Sequence, residues 1–292
     1  MKYIFIILTF SFNLLAMEAF VTPKELAKVL NNKNTIVLDV DKLAAYNKGH
    51  INGAIHVDIS SFLRIEQNPY KLMKSDNTIK DKIIDLGINE DSKVVIYSHN
   101  TEYGNLNSSY LAFILITFGF ENVSILDGGF MSWVFENERL VSSKSSKGKD
   151  DGNFIPSKNT DIIVDKKYVL DNISKTAILD ARESKYYYGT HKSNNTQKFG
   201  HIKSAKSSYY GDKFLVDGTL REKNELNDIY YIGFDLKQNQ DIIIYADDVF
   251  KASMEWYLLY KVMKFKQVKI YEASLLEYFD TKNNPTVRFK WE

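Results

Sequence analysis

The sequence predicts an α/β fold built twice along one chain. Continuous apolar runs of strand length alternate with helical stretches, the order that produces mainly parallel sheets covered by helices. The tripeptide Gly-His-Ile occurs at 49–51 and again at 200–202. Matched landmarks keep a near-constant spacing: 141 residues from Asp39 to Asp180, 151 from His50 to His201, 148 from Tyr97 to Tyr245 and 145 from Ile125 to Ile270. Such offsets mark an internal duplication with loops of unequal length.

From the amino end, residues 1–19 read as an export signal. Lys2 supplies a positive start, Ile4 to Leu15 is apolar apart from Thr9, Ser11 and Asn13, and Ala16 or Ala19 suits cleavage. The run is too short for a comfortable membrane span. Localisation is therefore expected to be exported, periplasmic or secreted, with no membrane association once the signal is removed.

The first domain is expected over 20–140. Thr22-Pro23-Lys24-Glu25 opens a helix with a capping box and a proline in its first turn, and Leu26, Val29 and Leu30 give it an apolar face. Asn31 to Asn34 ends it. Thr35 to Val40 is a strand suited to burial on both faces. Val94 to Tyr97 is a second strand, followed by a polar loop and a helix at about 108–118. Val123 to Leu126 is a third, followed by the turn Asp127-Gly128-Gly129 and a short helix carrying Trp133.

Residues 141–160, rich in Ser, Lys, Gly and Asp, have linker composition. The second domain, 161–285, repeats the order: a helix over 167–173, then strands Ala177 to Asp180, Ile242 to Tyr245 and Val268 to Tyr271.

Charge and composition narrow the function. The chain carries 38 basic and 37 acidic side chains, which gives no electrostatic basis for a nucleic-acid partner. Cysteine is absent, excluding disulfides, thiolate catalysis and Cys-ligated metals. The five histidines lack zinc-site spacing, and no metal or cofactor is expected. The tyrosine groups at 186–188, 209–210 and 230–231 read as packing.

Together these motifs resemble the rhodanese family. The first half holds LDV (38–40), GHINGAIHVD (49–58), VVIY (94–97) and ENVSILDGGFMSW (121–133); the second holds LDAR (179–182), GHIKSAKSS (200–208), DIIIY (241–245) and QVKIYEASLLEYF (267–279). The resemblance implies two rhodanese-like domains, each a central mainly parallel sheet flanked by helices. It further implies a site between the domains, where a cysteine on the loop after a strand attacks a sulfur donor, forms a persulfide and passes the sulfur to a thiophilic acceptor. Loop N–H groups at a helix start favour the thiolate.

In this chain the cysteine position falls on Ala246, and the loop continues Asp247, Asp248, Val249, Phe250, Lys251. The two carboxylates would repel an anionic donor. Arg182 keeps one substrate-binding position of the family, while a second is Tyr186; the Gly-rich end of the last strand is Glu272-Ala273-Ser274. The first-domain equivalent loop begins Ser98-His99 and runs to Gly104; neighbours in sequence do not make a catalytic triad. His50 and His201 are implied to be structural. The expected function is an exported tandem rhodanese homologue without sulfurtransferase activity, a binding or scaffold module for a protein or a small anionic ligand. The alternative is a thiosulfate or 3-mercaptopyruvate sulfurtransferase.

Overall fold

The computed structural model describes residues 17–64, 70–99, 106–137, 140–146, 152–194 and 196–292. The apolar run assigned to the export signal lies outside these, as do Asn100 to Gly104 of the first-domain loop. Each repeat centres on five parallel strands. The first sheet holds β1 (Phe20–Val21), β2 (Thr35–Asp39), β3 (Ile55–His56), β4 (Lys93–Tyr97) and β5 (Val123–Leu126), in the order β1-β5-β4-β2-β3. The second holds β6 (Ile163–Val164), β7 (Ala177–Asp180), β8 (Ala205–Ser207), β9 (Ile242–Tyr245) and β10 (Val268–Tyr271), in the same relative order, β6-β10-β9-β7-β8.

The central strands are apolar throughout because both faces are covered. Every residue of β2 and of β9 is buried, and parallel neighbours need helical crossovers that lie on the two faces. Register places Asp39 beside Tyr97 and Asp180 beside Tyr245. Both repeats thus bring an aspartate and a tyrosine together at the carboxyl ends of their central strands.

Two helices join the halves. Helix α1 (Leu106–Thr117) is buried at every position but Asn107, the signature of a helix covered on all sides. One side rests on the first sheet and another meets α2 (Val249–Tyr257). Phe113 and Trp256 stand edge to face at 5.0 Å, and Tyr110 lies 4.9 Å from Phe250. The Tyr257 hydroxyl donates across to the Ala19 carbonyl at 2.6 Å. A single apolar core runs from Ile36 and Phe113 through to Ile244 and Trp256. Among the described residues no helix is long and apolar enough to cross a membrane.

Each repeat is closed by an antiparallel strap. Val141–Ser142 pairs with His50–Ile51, and Thr286–Val287 pairs with His201–Ile202. The chain with linker composition is therefore bound to the first domain where it is described. Beyond the strap, Gly152, Phe154, Ser157 and Asn159 donate backbone hydrogen bonds to the carbonyls of Ile84, Ile88, Phe118 and Thr117.

Candidate functional site

The two strand-end clusters share one plan. The Tyr97 hydroxyl receives the Ile51 N–H at 3.0 Å, and the Tyr245 hydroxyl receives the Ile202 N–H at 3.1 Å. His50 Nδ1 bonds the Tyr46 carbonyl at 2.8 Å while its ring stacks on Tyr46 at 3.8 Å. His201 does the same with Tyr187, again at 2.8 and 3.8 Å. Both histidines are fully buried. They fasten the Gly-His-Ile loops and present no ring face to a ligand.

In the second domain Asp180 is the hub. Arg182 grips it in two places, Nε to Oδ1 at 2.8 Å and NH2 to Oδ2 at 2.6 Å, and Tyr245 donates to Oδ2 at 2.8 Å. The guanidinium also donates to the Gly200 carbonyl at 2.7 Å. Arg182 is only 1% exposed. Burial opposes its charge, but Asp180 outweighs burial and holds the guanidinium above its usual range. Burial chiefly, and Asp180 beside it, push the Tyr245 hydroxyl well up. Arg182 is thus committed to a two-pronged structural bond, with NH1 3.6 Å from Asp247 Oδ1.

The loop at 246–251 begins with a fully buried methyl group. Ala246 donates its N–H to Ser274 Oγ at 3.2 Å and its carbonyl accepts from Leu275. Asp248 caps α2, its Oδ1 accepting from the Phe250 N–H at 3.1 Å. Lys251 meets Asp247 at 3.3 Å and Glu183 at 3.9 Å, with its ammonium 5.5 Å from the Tyr186 ring. Val249 is buried beneath. The half-buried Tyr186 lies at the mouth, with Lys185 also over its ring at 4.9 Å.

The first domain contributes Lys71, which pairs with Asp248 and lies 5.3 Å from the Phe250 ring. Met73 donates its N–H to Glu272 Oε1 at 2.6 Å. Burial raises the Glu272 carboxyl, against the pull of that bond. Sequence reasoning missed Lys71: it is 177 residues from Asp248 and belongs to no motif.

Chemically, the helix start that would greet an anion is already met by a carboxylate of the chain itself. Asp248 takes the N–H of Phe250, and Asp247 stands before Arg182. No nucleophile lies at Ala246.

In the first domain the equivalent positions are differently filled. Ser98 is 4% exposed. His99 Nε2 bonds the Gly49 carbonyl at 2.7 Å, and the His99 backbone N–H donates to Asp41 Oδ2 at 2.9 Å. His99 does not point at Ser98 as a base would; its ring nitrogens face Gly49 and the carboxylates of Asp39 and Asp41. A mainly apolar cavity of about 380 Å³ adjoins it, lined by Ala45, Gly49, Phe130, Val134 and Val141 with Lys48. Among the described residues no three His, Asp or Glu side chains form a metal-binding group.

Two copies of this sheet, Asp–Tyr pair and Gly-His-Ile loop define a tandem rhodanese architecture. The rhodanese-like domain matches residues 22–136 and 165–281, and the chain belongs to that family. It is 27% identical over 287 residues to the sulfur carrier protein TtuD of Thermus thermophilus, covering 89% of this chain and 93% of that protein. It is 25% identical over 279 residues to a putative thiosulfate sulfurtransferase of Synechococcus elongatus, covering 90% and 83%. Among solved structures it shares its fold with the 3-mercaptopyruvate sulfotransferase SseA from Escherichia coli, with a TM-score of 0.74 and 22% identity over 88% of this chain and 99% of that one. The anaerobic ergothioneine biosynthesis enzyme from Chlorobium limicola has a TM-score of 0.78 at 22% identity, over 92% and 70%.

Proposed function

We propose that this chain is a non-catalytic rhodanese, exported on the pattern of its first residues, which binds a partner around the loop at 246–251. The observation that carries the reading is the state of the loop. Ala246 is sealed against Ser274 and Leu275, and the helix start is capped by Asp248. Rhodanese sulfur transfer runs through a thiolate, and this chain has no cysteine. With Asp247 and Asp248 at the mouth, a protein partner is better supported than a small anion. The names of the relatives describe the family's chemistry; function resides in the site, which differs here.

The test is thiocyanate formation from thiosulfate or mercaptopyruvate by the full chain, beside Ala246→Cys and Ala246→Cys/Tyr186→Arg. The unmodified chain should be silent. Turnover by it would overturn the reading and require a cysteine-free route. Activity restored in the double variant would show that the backbone cradle persists beneath the altered side chains. Silence in all three would mean the pocket has been rebuilt throughout. Export is checked separately, by the amino-terminal sequence of the chain recovered from outside the bacterial cytoplasm; an uncleaved chain retained inside contradicts it.

A further inference from the structure

The cavity beside His99 lies on the face of the first sheet turned away from the second domain. Ile36, Leu38, Val94 and Ile96 point into the core that joins the domains, while the alternate residues Val37 and Val95 point into a separate core with Trp133 and Phe130. The cavity is built on that second side. Ala45, Lys48 and Gly49 come from the end of the helix Leu43–Tyr46 and the turn after it, Phe130 and Val134 from the helix Gly129–Asn137, and Val141 from the strap. The rings of His99 and Phe130, 4.0 Å apart, both line it.

The second repeat carries aromatic side chains at three of the matching positions. Tyr46 and Tyr187 correspond, each donating its hydroxyl to the alanine carbonyl beyond the Gly-His-Ile loop, Ala54 and Ala205. Ala45 therefore stands where the second repeat has Tyr186. Phe130 and Leu275 correspond, each donating its N–H to the carbonyl after the strand-end tyrosine, Ser98 and Ala246. Four residues further on, Val134 stands where the second repeat has Phe279. Lys48 stands where it has Phe199, immediately before the glycine. The Phe199 ring is covered by the Arg288 guanidinium at 4.2 Å. Lys48 is exposed at the rim, and no carboxylate is among the described residues lining the cavity.

The first repeat thus has small side chains where the second has rings, and a lysine where it has a third. About 380 Å³ of space results, the lower end of the range for small-molecule sites. Apolar walls with two rings favour a flat apolar body, which gains from burial and from ring-to-ring contact. The lysine stem packs along such a body while its ammonium meets an anion at the mouth. We propose that the cavity is a binding site for a small aromatic carboxylic acid, its ring against His99, Phe130 and Val134 in the room left by Ala45, and its carboxylate on Lys48. The site is on the far side of the first sheet from the loop at 246–251, so it stands whether that loop binds a partner or not.

The test is titration calorimetry of the full chain with phenylacetate and indole-3-acetate, beside phenylacetamide as a neutral analogue. The acids should bind with dissociation constants of about 1 mM or tighter, as suits ligands of so few atoms, and the amide about fivefold more weakly. Lys48→Gln changes an exposed side chain and leaves the walls intact; it should bring the acids down to the affinity of the amide. Ala45→Tyr and Val134→Phe each install the residue of the second repeat. They should abolish binding of acids and amide alike, with the melting temperature of each free variant confirming that it is folded. No binding of either acid at several times about 1 mM overturns the proposal. Equal binding of acid and amide by the native chain removes Lys48 from the site, and binding that survives both Ala45→Tyr and Val134→Phe places the ligand elsewhere; either result also overturns it.

Discussion

Asp127 follows β5 and faces the second domain, its Oδ1 accepting from the Leu220 N–H at 2.9 Å. Burial pushes this carboxyl up to about 6, against the opposing effect of the Leu220 bond. An unfolded aspartate titrates near 3.9. The group therefore favours folding while it is protonated, and that contribution is lost as pH rises through about 6. Asp127→Asn keeps an oxygen for Leu220 and removes the buried charge. It should raise the melting temperature at about pH 8 by a few degrees, with a smaller gain near pH 5; an equal gain at both would show that the charge is not the cause. The altered loop, Ala246 to Lys251, stands out in the sequence because a cysteine is missing from a recognisable frame. The partners of those residues do not, because Lys71, Glu183 and Ser274 are joined to them only by folding.

Strands and helices follow local rules that can be checked singly. The cap on α2 is one: Asp248 holds the Phe250 N–H and also pairs with the partly exposed Lys71. Asp248→Ala should cost about 1 kcal/mol, or roughly 2–4 °C in melting temperature for a chain of this size. Asp248→Asn keeps the cap and loses only an ion pair with a 38% exposed lysine, so it should cost less than half as much. If the two variants melt alike, the ion pair and not the cap carries the stability. The central strands were legible as apolar runs, and the Thr22 capping box is present with both of its bonds. The edge strands β1 and β6 and both straps were not, because two residues are too few to show a period. The segment 141–160 reads as linker from its polar composition, yet its backbone groups find carbonyl partners that composition does not reveal.

Across the whole molecule, the apolar contact of α1 with α2 joins the two domains through one continuous core, so they are expected to unfold together. The run from Tyr110 to Ile116 is apolar on every side, which implies burial all round, but nothing in it names α2 as the cover. Phe113→Ala should cost about 3–5 kcal/mol and lower the stability of both halves together. Calorimetry should show one transition before and after the change, with amide protection falling in β4 and β9 alike. Two separate transitions in the native chain would mean that each core stands alone.

The positions of the three tryptophans have an optical consequence. Trp133 is buried in the first domain, Trp256 is buried at the junction with its indole N–H on the Val268 carbonyl, and Trp291 lies 55% exposed just beyond the second strap, stacked on Tyr187 and Tyr188. Each strategic region therefore carries its own fluorophore. Replacing any two with phenylalanine leaves one emission that reports on a single region: the buried Trp133 and Trp256 red-shift when their regions meet water, and the part-exposed Trp291 changes intensity as it leaves its tyrosine stack. Peeling of the strap, parting of the domains and loss of the first core can then be followed separately, one single-tryptophan variant for each.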